Sequence, residues 1–259
     1  MAQPYIVRVS SQKGGVGKTT ISVNLAIILK QLGYSVLLVD ADYINPVVAM
    51  HLGLEEVSSG FRAVMKGRAR LQNVTTIHPS TGLHILCGEI SQKQFEPSYE
   101  SIVRFTRMLE KTKYDFIVID TPPGFSKEVF VDISEALIVM TPDMQATTSA
   151  IRSSQVFDKY HIRHSLVVNR VRSRAFELSP REIESAYGSR VDAMFPEDDV
   201  VPMSIAAHIP AFLYRKRSPF SKAMLDFSRL YSARTEQKES GLPAGGGFVA
   251  WLLGLFRRR

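Results

Sequence analysis

Cysteine is almost absent from this sequence, which contains Cys87 alone among its 259 residues. A disulfide framework within one chain and a cluster site of several thiolates are therefore excluded, and a reducing cytoplasm is favoured. Histidine gives no metal-site signal either, because no set of carboxylates or cysteines completes a site around its only close pair, His161 and His164. No basic segment precedes the first apolar run, so we expect no signal peptide.

The composition is otherwise that of a globular protein with a small excess of positive charge. Apolar residues make up 45% of the chain, which supplies a sizeable core for one large α/β domain or two small ones. The net charge of +7 favours an anionic partner, either nucleic acid or membrane. Three of these charges belong to the arginines at the C-terminus, so the rest of the chain carries no strong footprint for DNA.

Apolar, strand-like runs alternate with helical patterns along most of the chain. This alternation predicts parallel strands joined by helical crossovers, in a doubly wound α/β fold with about seven to eight strands and helices on both faces of the sheet. The predicted strands are 5–9, 35–40, 74–77, 83–86, 114–120, 136–140, 165–169 and 191–195. Helices are predicted after residue 20, over 47–52, 61–65, 99–109 and 145–159, and from Ser218-Pro219 to residue 230.

Residues 10–20 form the motif on which the functional prediction depends. They read Ser-Ser-Gln-Lys-Gly-Gly-Val-Gly-Lys-Thr-Thr, between a predicted strand and a predicted helix. Glycines allow the backbone to direct successive N–H groups at phosphate oxygens, next to the positive end of the helix dipole. Lys18 would reach the β- and γ-phosphates and Thr19 would hold Mg²⁺. The predicted nucleotide contacts of this loop are Lys13, Gly14, Gly15, Val16, Gly17, Lys18, Thr19 and Thr20. The alternative is an accidental glycine turn before a helix.

The segment from Lys13 to Thr20 resembles the deviant Walker A motif of the MinD/ParA superfamily of ATPases. The resemblance implies a P-loop NTPase fold, ATP and Mg²⁺ as ligands, and a homodimer formed with ATP. It also makes Lys13 a signature lysine that crosses the dimer interface to the partner's nucleotide, as an arginine finger does. A solvated lysine beside an anion site is the alternative. Gln12 departs from the strict phosphate-loop pattern and is more similar to the ParA branch.

Acidic residues follow two of the predicted strands. Asp40 and Asp120 fall at strand ends, where a doubly wound sheet forms its ligand crevice. Asp120 resembles a Walker B aspartate of the Mg²⁺ shell. Asp40-Ala41-Asp42 resembles the family's switch I, which implies that Asp42 activates the attacking water and that Asp40 supports the metal. Without the phosphate loop, this pair of acids would be interpreted as a capped turn.

Three further segments resemble family sites more faintly. Asp120, Thr121, Pro122, Pro123 and Gly124 resemble switch II, with a stiff turn as the alternative. Asn169 and Arg170 resemble a strand end whose asparagine reads the purine edge, although an asparagine there is equally a turn former. Pro196, Glu197 and Asp198 resemble a stretch whose backbone lines the base.

The C-terminal segment carries a separate prediction. We divide the chain into an ATPase domain (1–234), a flexible polar and glycine-rich tether (235–247) and an amphipathic helix (248–259). The apolar run of the amphipathic helix is shorter than the stretch of about 20 residues that spans a bilayer, so we expect this helix to lie in the membrane interface. The predicted membrane contacts are Phe248, Trp251, Leu252, Leu255, Phe256, Arg257, Arg258 and Arg259. The resemblance is to the membrane-targeting sequence of MinD-like proteins, although Val249 and Leu253 make the opposite face less polar. Docking of this helix on its own domain is the alternative.

Three functions follow from these features. The first is a MinD-like ATPase that dimerises around ATP. The dimer binds an anionic membrane surface as a peripheral protein on the inner face of the cell membrane. ATP hydrolysis, stimulated by an activating protein, releases it. Such proteins position cell-division or other polar machinery. The second is a ParA-like partition ATPase that binds DNA nonspecifically, which Gln12 and the net charge favour and the apolar tail does not. The third is a membrane scaffold that binds ATP without hydrolysing it. Iron–sulfur carriers of the superfamily are excluded, because they need a Cys-x-x-Cys pair.

Overall fold

The fold was analysed in a computed structural model, which describes residues 3–54, 59–89, 95–124 and 133–239. Within these ranges no helix combines the length and the apolar character needed to cross a membrane.

One eight-stranded sheet forms the centre of the molecule. Its strands are β1 (Tyr5–Ser10), β2 (Val36–Asp40), β3 (Thr76–Ile77), β4 (His84–Leu86), β5 (Phe116–Asp120), β6 (Glu135–Met140), β7 (His164–Val171) and β8 (Ala193–Pro196). Their order across the sheet is β3-β4-β2-β5-β1-β6-β7-β8. The β3–β4 pair is antiparallel and the other pairs are parallel. The predicted fold class is therefore confirmed.

The described helices connect these strands and cover both faces of the sheet. They are α1 (Lys18–Gln31), α2 (Val48–His51), α3 (Phe61–Met65), α4 (Leu71–Val74), α5 (Tyr99–Glu110), α6 (Met144–Lys159), α7 (Pro180–Tyr187), α8 (Val200–Ala206), α9 (Ala211–Tyr214) and α10 (Pro219–Glu239). Helices α4, α7, α8 and α9 were not predicted from the sequence, and residue 74, which was predicted to lie in a strand, lies in α4.

The core lies in layers on the two faces of the sheet. In β2, Val36 and Leu38 pack with α1 and α10 on one face, while Leu37 and Val39 pack with α3 and α5 on the other. The alternation follows from the two-residue period of a strand. Helices α6 and α7 cover β6 and β7 on one face in a third cluster. A strand buried on both faces explains the continuous apolar run in β2.

The last helix is longer than predicted. Its start agrees with the predicted cap, because the Ser218 hydroxyl accepts a hydrogen bond from the Ser221 amide at 3.1 Å. The helix continues to Glu239, so the first five residues of the predicted tether, 235–239, are helical. Tyr231 and Thr235 are still buried, and packing against the domain accounts for this extension. Residues 240–259, which include the rest of the tether and all predicted membrane contacts, lie outside the described residues.

Candidate nucleotide-binding site

The glycine-rich loop joins the carboxyl end of β1 to the amino end of α1. Gly15 and Gly17 have φ angles of 76° and 98°, in the left-handed region that favours glycine. A Cβ atom on Gly17 would also lie only 2.2 Å from the Asn169 amide nitrogen. The loop therefore needs glycine at this position for both backbone conformation and space. It ends at the 14-residue helix α1, whose first N–H groups and dipole favour an anion.

Lys18 and Thr19, the first residues of α1, face the site. Lys18 is 7% exposed, and its ammonium donates to the Ser11 hydroxyl at 3.2 Å. Burial lowers the pKa of Lys18, and the neighbouring Asp120 and Asp42 carboxylates oppose that shift. The Thr19 hydroxyl donates to Asp120 at 2.6 Å. The arrangement therefore presents a cation and a hydroxyl at one helix end.

Ser22 completes the contact with Asp120 and was missed by the sequence analysis. Its hydroxyl donates to the second Asp120 carboxylate oxygen at 2.9 Å. Ser22 lies three residues after Thr19, on the same helix face. Its helical spacing from the predicted metal ligand could therefore have identified it from the sequence. Asp120 is therefore held by two hydroxyls of α1.

The acidic residues of the site are buried. Burial raises the pKa of Asp120 to about 6, against the opposing effect of the Thr19 and Ser22 hydrogen bonds. Burial, followed by the charge of Asp120, raises the pKa of Asp40 well above its ordinary value. Asp42 is 8% exposed. Three buried carboxylates thus lie close together, and the buried cations Lys18 and Arg8 lie in the same part of the molecule.

Asp40 and Asp42 also organise the loop after β2. The Asp40 carboxylate accepts from the amides of Asp42 at 3.2 Å and Val48 at 3.0 Å. The Asp42 carboxylate accepts from the amides of Ile44 at 3.2 Å and Asn45 at 2.9 Å. Hydrogen bonds to both Asp40 oxygens fix the loop and leave Asp42 at its turn, next to the site.

The residues at this site fit Mg²⁺. The donor set offers the Thr19 hydroxyl and the Asp120 carboxylate, both oxygen ligands, with the Asp40 and Asp42 carboxylates beside them. Among the described residues, no three acidic, histidine or cysteine side chains form a metal-binding group on their own. This agrees with the way in which Mg²⁺ binds at phosphate sites, through one or two protein ligands together with water and phosphate oxygens. Thr19 and Asp120 would hold the ion.

Lys13 contacts α6 of its own chain. Its ammonium lies 3.4 and 3.5 Å from the two carboxylate oxygens of Asp143, and both side chains are more than 40% exposed. Asp143 is the N-cap of α6 and accepts from the Ala146 amide at 2.9 Å. Burial raises the pKa of Asp143, but the hydrogen bonds from Thr141, Ala146 and Lys13 outweigh it and the net pKa is lowered. The sequence analysis missed Asp143, although an aspartate before a helical pattern is an N-cap signal.

The segment after β5 is joined to the glycine-rich loop. The Thr121 hydroxyl donates to the Val9 carbonyl at 2.8 Å, and the Gly124 amide donates to the Ser11 carbonyl at 2.9 Å. Gly124 has a φ of 96°, which favours glycine. Two of the predicted switch II residues are thus hydrogen-bonded to the site: Thr121 to β1 and Gly124 to the start of the glycine-rich loop.

The predicted base contacts lie at the ends of β7 and β8. Asn169 is buried and donates to the Val16 carbonyl at 2.8 Å, so it supports the phosphate loop. Arg170 is exposed, with a φ of 59°. Glu197, which follows Pro196, forms an ion pair with Arg172. Asp198 accepts from the amides of Val200 at 2.9 Å and Phe220 at 3.1 Å, so its carboxylate holds the starts of α8 and α10 together.

Comparison with known proteins finds relatives of one family over most of the chain. Residues 3–176 match the ParA family model, described as NUBPL iron-transfer P-loop NTPase. The septum site-determining protein MinD of Oltmannsiellopsis viridis is 31% identical over 82% of this chain and 71% of its own length. The Pyrococcus horikoshii MinD structure with Mg-ADP has a TM-score of 0.81 at 26% identity, covering 89% of this chain and 96% of that one. The MinC:MinD complex of Aquifex aeolicus has a TM-score of 0.79 at 25% identity, covering 88% of this chain and 96% of that one.

The iron transfer in that family description does not suit this sequence. Cys87 is its only cysteine and is fully buried, and burial raises the pKa of its thiol to about 12. The phosphate loop, the acids at the carboxyl ends of β2 and β5, and the match over residues 3–176 agree with one another. The chain therefore belongs to the ParA/MinD family of P-loop NTPases.

Proposed function

We propose that this protein is a Mg²⁺-dependent, MinD-like ATPase that dimerises around ATP, binds membrane as the dimer and is released on hydrolysis. The observation that carries the proposal is the junction of the phosphate loop with Asp120, where Thr19 and the carboxylate are 2.6 Å apart beside the buried Lys18 ammonium. The Pyrococcus horikoshii relative with the same fold was solved with Mg-ADP, which supports adenine nucleotide and Mg²⁺ as ligands.

The residues of this chain have distinct roles in the proposal. Lys18 and the amides of residues 14–20 bind the phosphates, and Asn169 fixes the loop through the Val16 carbonyl. Thr19 and Asp120 hold the metal, which neutralises phosphate charge when bound. Asp42, held at its turn by two backbone amides, orients the attacking water. Asp40 supports this arrangement through its hydrogen bonds to the same loop.

Lys13 links nucleotide binding to dimer formation. In the proposed dimer it leaves Asp143 and reaches the phosphates of the nucleotide bound to the other protomer. The contact that it leaves is exposed, at 3.4 Å or more, and such ion pairs stabilise a protein by only about 0–1 kcal/mol. A triphosphate attracts the lysine more strongly than a single carboxylate does, because it carries more negative charge.

Membrane binding is assigned to residues 248–259. Trp251 and its apolar neighbours would enter the interface, while the three terminal arginines contact anionic headgroups. One short segment is a weak anchor, but two segments in a dimer act together through their effective concentration. ATP would therefore control membrane binding by controlling dimerisation. We propose that the protein acts at the inner face of the cell membrane and that it positions cell-division or other polar machinery.

An activating protein completes the proposed cycle. The Aquifex aeolicus MinD structure contains MinC, so a relative of this fold binds a protein partner. We propose that a partner of this chain stimulates hydrolysis and thereby resets the dimer.

Co-sedimentation with liposomes tests the membrane part of the proposal. The full chain is compared with a chain ending at Gly247, each with Mg-ATP and with Mg-ADP, on vesicles containing phosphatidylglycerol. We expect the full chain to sediment with ATP and the shorter chain to remain in the supernatant. Equal sedimentation of the two chains would contradict the role of residues 248–259. Parallel assays with duplex DNA test the ParA-like alternative, which predicts ATP-dependent DNA binding that does not require the tail.

Steady-state phosphate release tests the catalytic part. We expect Asp42→Ala to lower the rate at least about tenfold in the presence of lipid, because the attacking water loses its orienting group. Equal rates for the two proteins would remove Asp42 from catalysis. Hydrolysis absent from both proteins, with ATP still bound, would favour the non-hydrolysing scaffold.

A further inference from the structure

A large groove lies between α5 and the segment that carries α3 and α4, away from the nucleotide site. Its volume is about 1390 Å³. It runs along α5 from Tyr99 to the C-cap residue Lys111 and reaches Ser35 and Tyr114, at the amino ends of β2 and β5. No lining residue belongs to residues 10–20, 40–42 or 120–124, so the groove is a separate feature of the molecule.

The groove has an apolar floor that water reaches. Leu71, Val103 and Met108 line it, and the structure exposes two large side chains beside them. Ile77 is 57% exposed and Tyr99 is 62% exposed. These side chains give the groove an apolar lining on which the apolar face of a partner can pack.

The groove also carries a stripe of positive charge. Among the described residues that line it, five are exposed cations, namely Arg70, Arg104, Arg107, Lys111 and Lys113, and one is acidic, Glu100. Arg104 and Arg107 lie one turn apart on α5, and Lys111, the C-cap of this helix, follows Arg107 after four residues, so the three lie along one side of the helix. Among the described residues, none of these five forms an ion pair within 4 Å. Arg104 donates a hydrogen bond to the Met65 carbonyl at 3.1 Å, which positions its guanidinium without neutralising its charge. The charges of all five are therefore available to a ligand.

The size and the charge of the groove fit a helix of a partner protein better than a small molecule. Small-molecule pockets reach about 1,000 Å³, so this groove is larger than a metabolite needs. A helix about 10 Å across that advances 5.4 Å per turn fills roughly 1,300 Å³ in three turns. Apolar side chains on one face of such a helix would meet the floor, and acidic side chains on its flanks would meet the cations. The chain's own C-terminal segment does not suit this groove, because it ends in three arginines.

We propose that the groove between α5 and the α3–α4 segment binds an acidic amphipathic helix of a partner protein. This interaction needs neither ATP nor the dimer, because the groove shares no residue with the nucleotide site. Its failure can therefore be distinguished from a failure of the proposed ATPase cycle.

Fluorescence anisotropy with a designed probe tests the proposal. The probe is a labelled 14-residue helix with leucines on one face and glutamates on its flanks, and a second probe replaces each glutamate by lysine. Without nucleotide, we expect the full chain to bind the glutamate probe at least about tenfold more tightly than the lysine probe, because its flanks complement the cationic stripe. Added salt should weaken the complex, since the cations are exposed.

Two pairs of charge reversals locate the binding site. Arg107→Glu with Lys111→Glu reverses two charges of the groove, and Arg181→Glu with Arg190→Glu reverses two exposed charges outside it. We expect the first pair to weaken binding of the glutamate probe at least about tenfold and the second to change it less than about twofold. Circular dichroism verifies that both variants are folded. Ala69→Trp, which leaves every charge in place and fills the groove, should also weaken binding.

Several outcomes would overturn the proposal. Equal affinity for the two probes, equal losses in the two charge-reversed variants, or full binding by the Ala69→Trp variant would each do so. The same holds if Arg107→Glu with Lys111→Glu leaves the glutamate probe bound but removes binding to phosphatidylglycerol vesicles or duplex DNA. That last result would assign the stripe to phosphate groups and not to a protein helix.

Discussion

The hydroxyl of Thr19 and the carboxylate of Asp120 form the contact on which the proposed metal binding depends. Thr19→Ala removes a predicted metal ligand and one of the two hydroxyls that hold Asp120. We expect this variant to lose most of the Mg²⁺-dependent part of its ATP affinity, at least about tenfold, since Mg²⁺ at phosphate sites has few protein ligands. Titration of a fluorescent ATP analogue with Mg²⁺ and with EDTA measures this difference.

Thr148→Ala is the matched control for this substitution, because Thr148 is an exposed threonine whose hydroxyl bonds only within α6. If Mg²⁺ raises the ATP affinity of Thr19→Ala and of the unmodified protein by the same factor, Thr19 is not the proposed metal ligand.

The buried acids predict a pH dependence of the metal-free protein. The pKa of Asp120 rises from an ordinary 3.8 to about 6 on folding, so the folded state binds this proton more tightly than the unfolded state does. The free energy of unfolding should therefore fall as pH rises from about 4 to about 6, by up to about 3 kcal/mol for a shift of this size. Asp40, whose pKa is also raised, contributes with the same sign. Urea unfolding in EDTA across this range measures the effect.

Asp120→Asn should flatten this pH profile, because the asparagine cannot ionise. Asp226→Asn controls for the loss of one charge, since Asp226 lies on an exposed face of α10. An unchanged slope in Asp120→Asn would show that Asp120 does not determine the pH dependence.

Among the elements, the phosphate loop shows how local geometry restricts sequence. Gly17→Ala would place a Cβ atom at a φ of 98° and 2.2 Å from the Asn169 amide nitrogen. We expect a loss of about 1–3 kcal/mol in the free energy of unfolding, from backbone strain and the displaced asparagine. Chemical denaturation without nucleotide is the measurement.

Gly14→Ala is a control from the same loop. A Cβ atom on Gly14 would meet no other side chain or distant backbone within 4 Å, and the φ of Gly14 is an ordinary one. We expect its effect on unfolding to stay within about 0.5 kcal/mol. Equal losses in the two variants would show that the contact with Asn169 is not what requires glycine at position 17.

Most of the elements predicted from the sequence have several buried apolar residues. Strand β2 and helix α5 were both predicted within one or two residues of their observed bounds. Helix α3 has only five residues, but four of them are buried, and it was predicted with its observed bounds. Helices α4, α8 and α9 have four to seven residues, of which only one or two are buried, and they were not predicted. Helix α7 could have been predicted, because Ser179, Pro180 and Glu182 form a capping box with proline at the first helical position.

At the scale of the whole molecule, the proposed cycle predicts that ATP determines the oligomeric state. Light scattering after gel filtration should give a dimer for Asp42→Ala with Mg-ATP, because slowed hydrolysis preserves the ATP-bound state, and a monomer with Mg-ADP. Adding Lys13→Ala should shift the ATP sample towards monomer, since the cation supplied to the partner's phosphates is lost.

Asp143→Asn separates the dimer contact of Lys13 from its contact within the monomer. Asparagine also caps helices, so α6 should remain intact, and the lost ion pair is exposed. This variant should dimerise with ATP at least as well as its parent does. A Lys13→Ala protein that dimerises normally would contradict the proposed role of the lysine.

The sequence by itself determined the fold class, the family and the position of the phosphate loop. These features depend on local information: apolar periodicity reports burial, and the spacing of glycine, lysine and threonine reports a backbone shape that can bind phosphate. They could therefore be predicted before any contact between distant residues was known.

Only the tertiary structure decided which residues meet. The strand order places β5 between β1 and β2, which brings Asp120 to Thr19 and Ser22 across about a hundred residues of sequence. The partners of Lys13 and Asn169, and the groove beside α5, depend in the same way on how distant elements pack. No local pattern encodes such contacts, because they arise when separate elements bury their apolar faces on one common sheet.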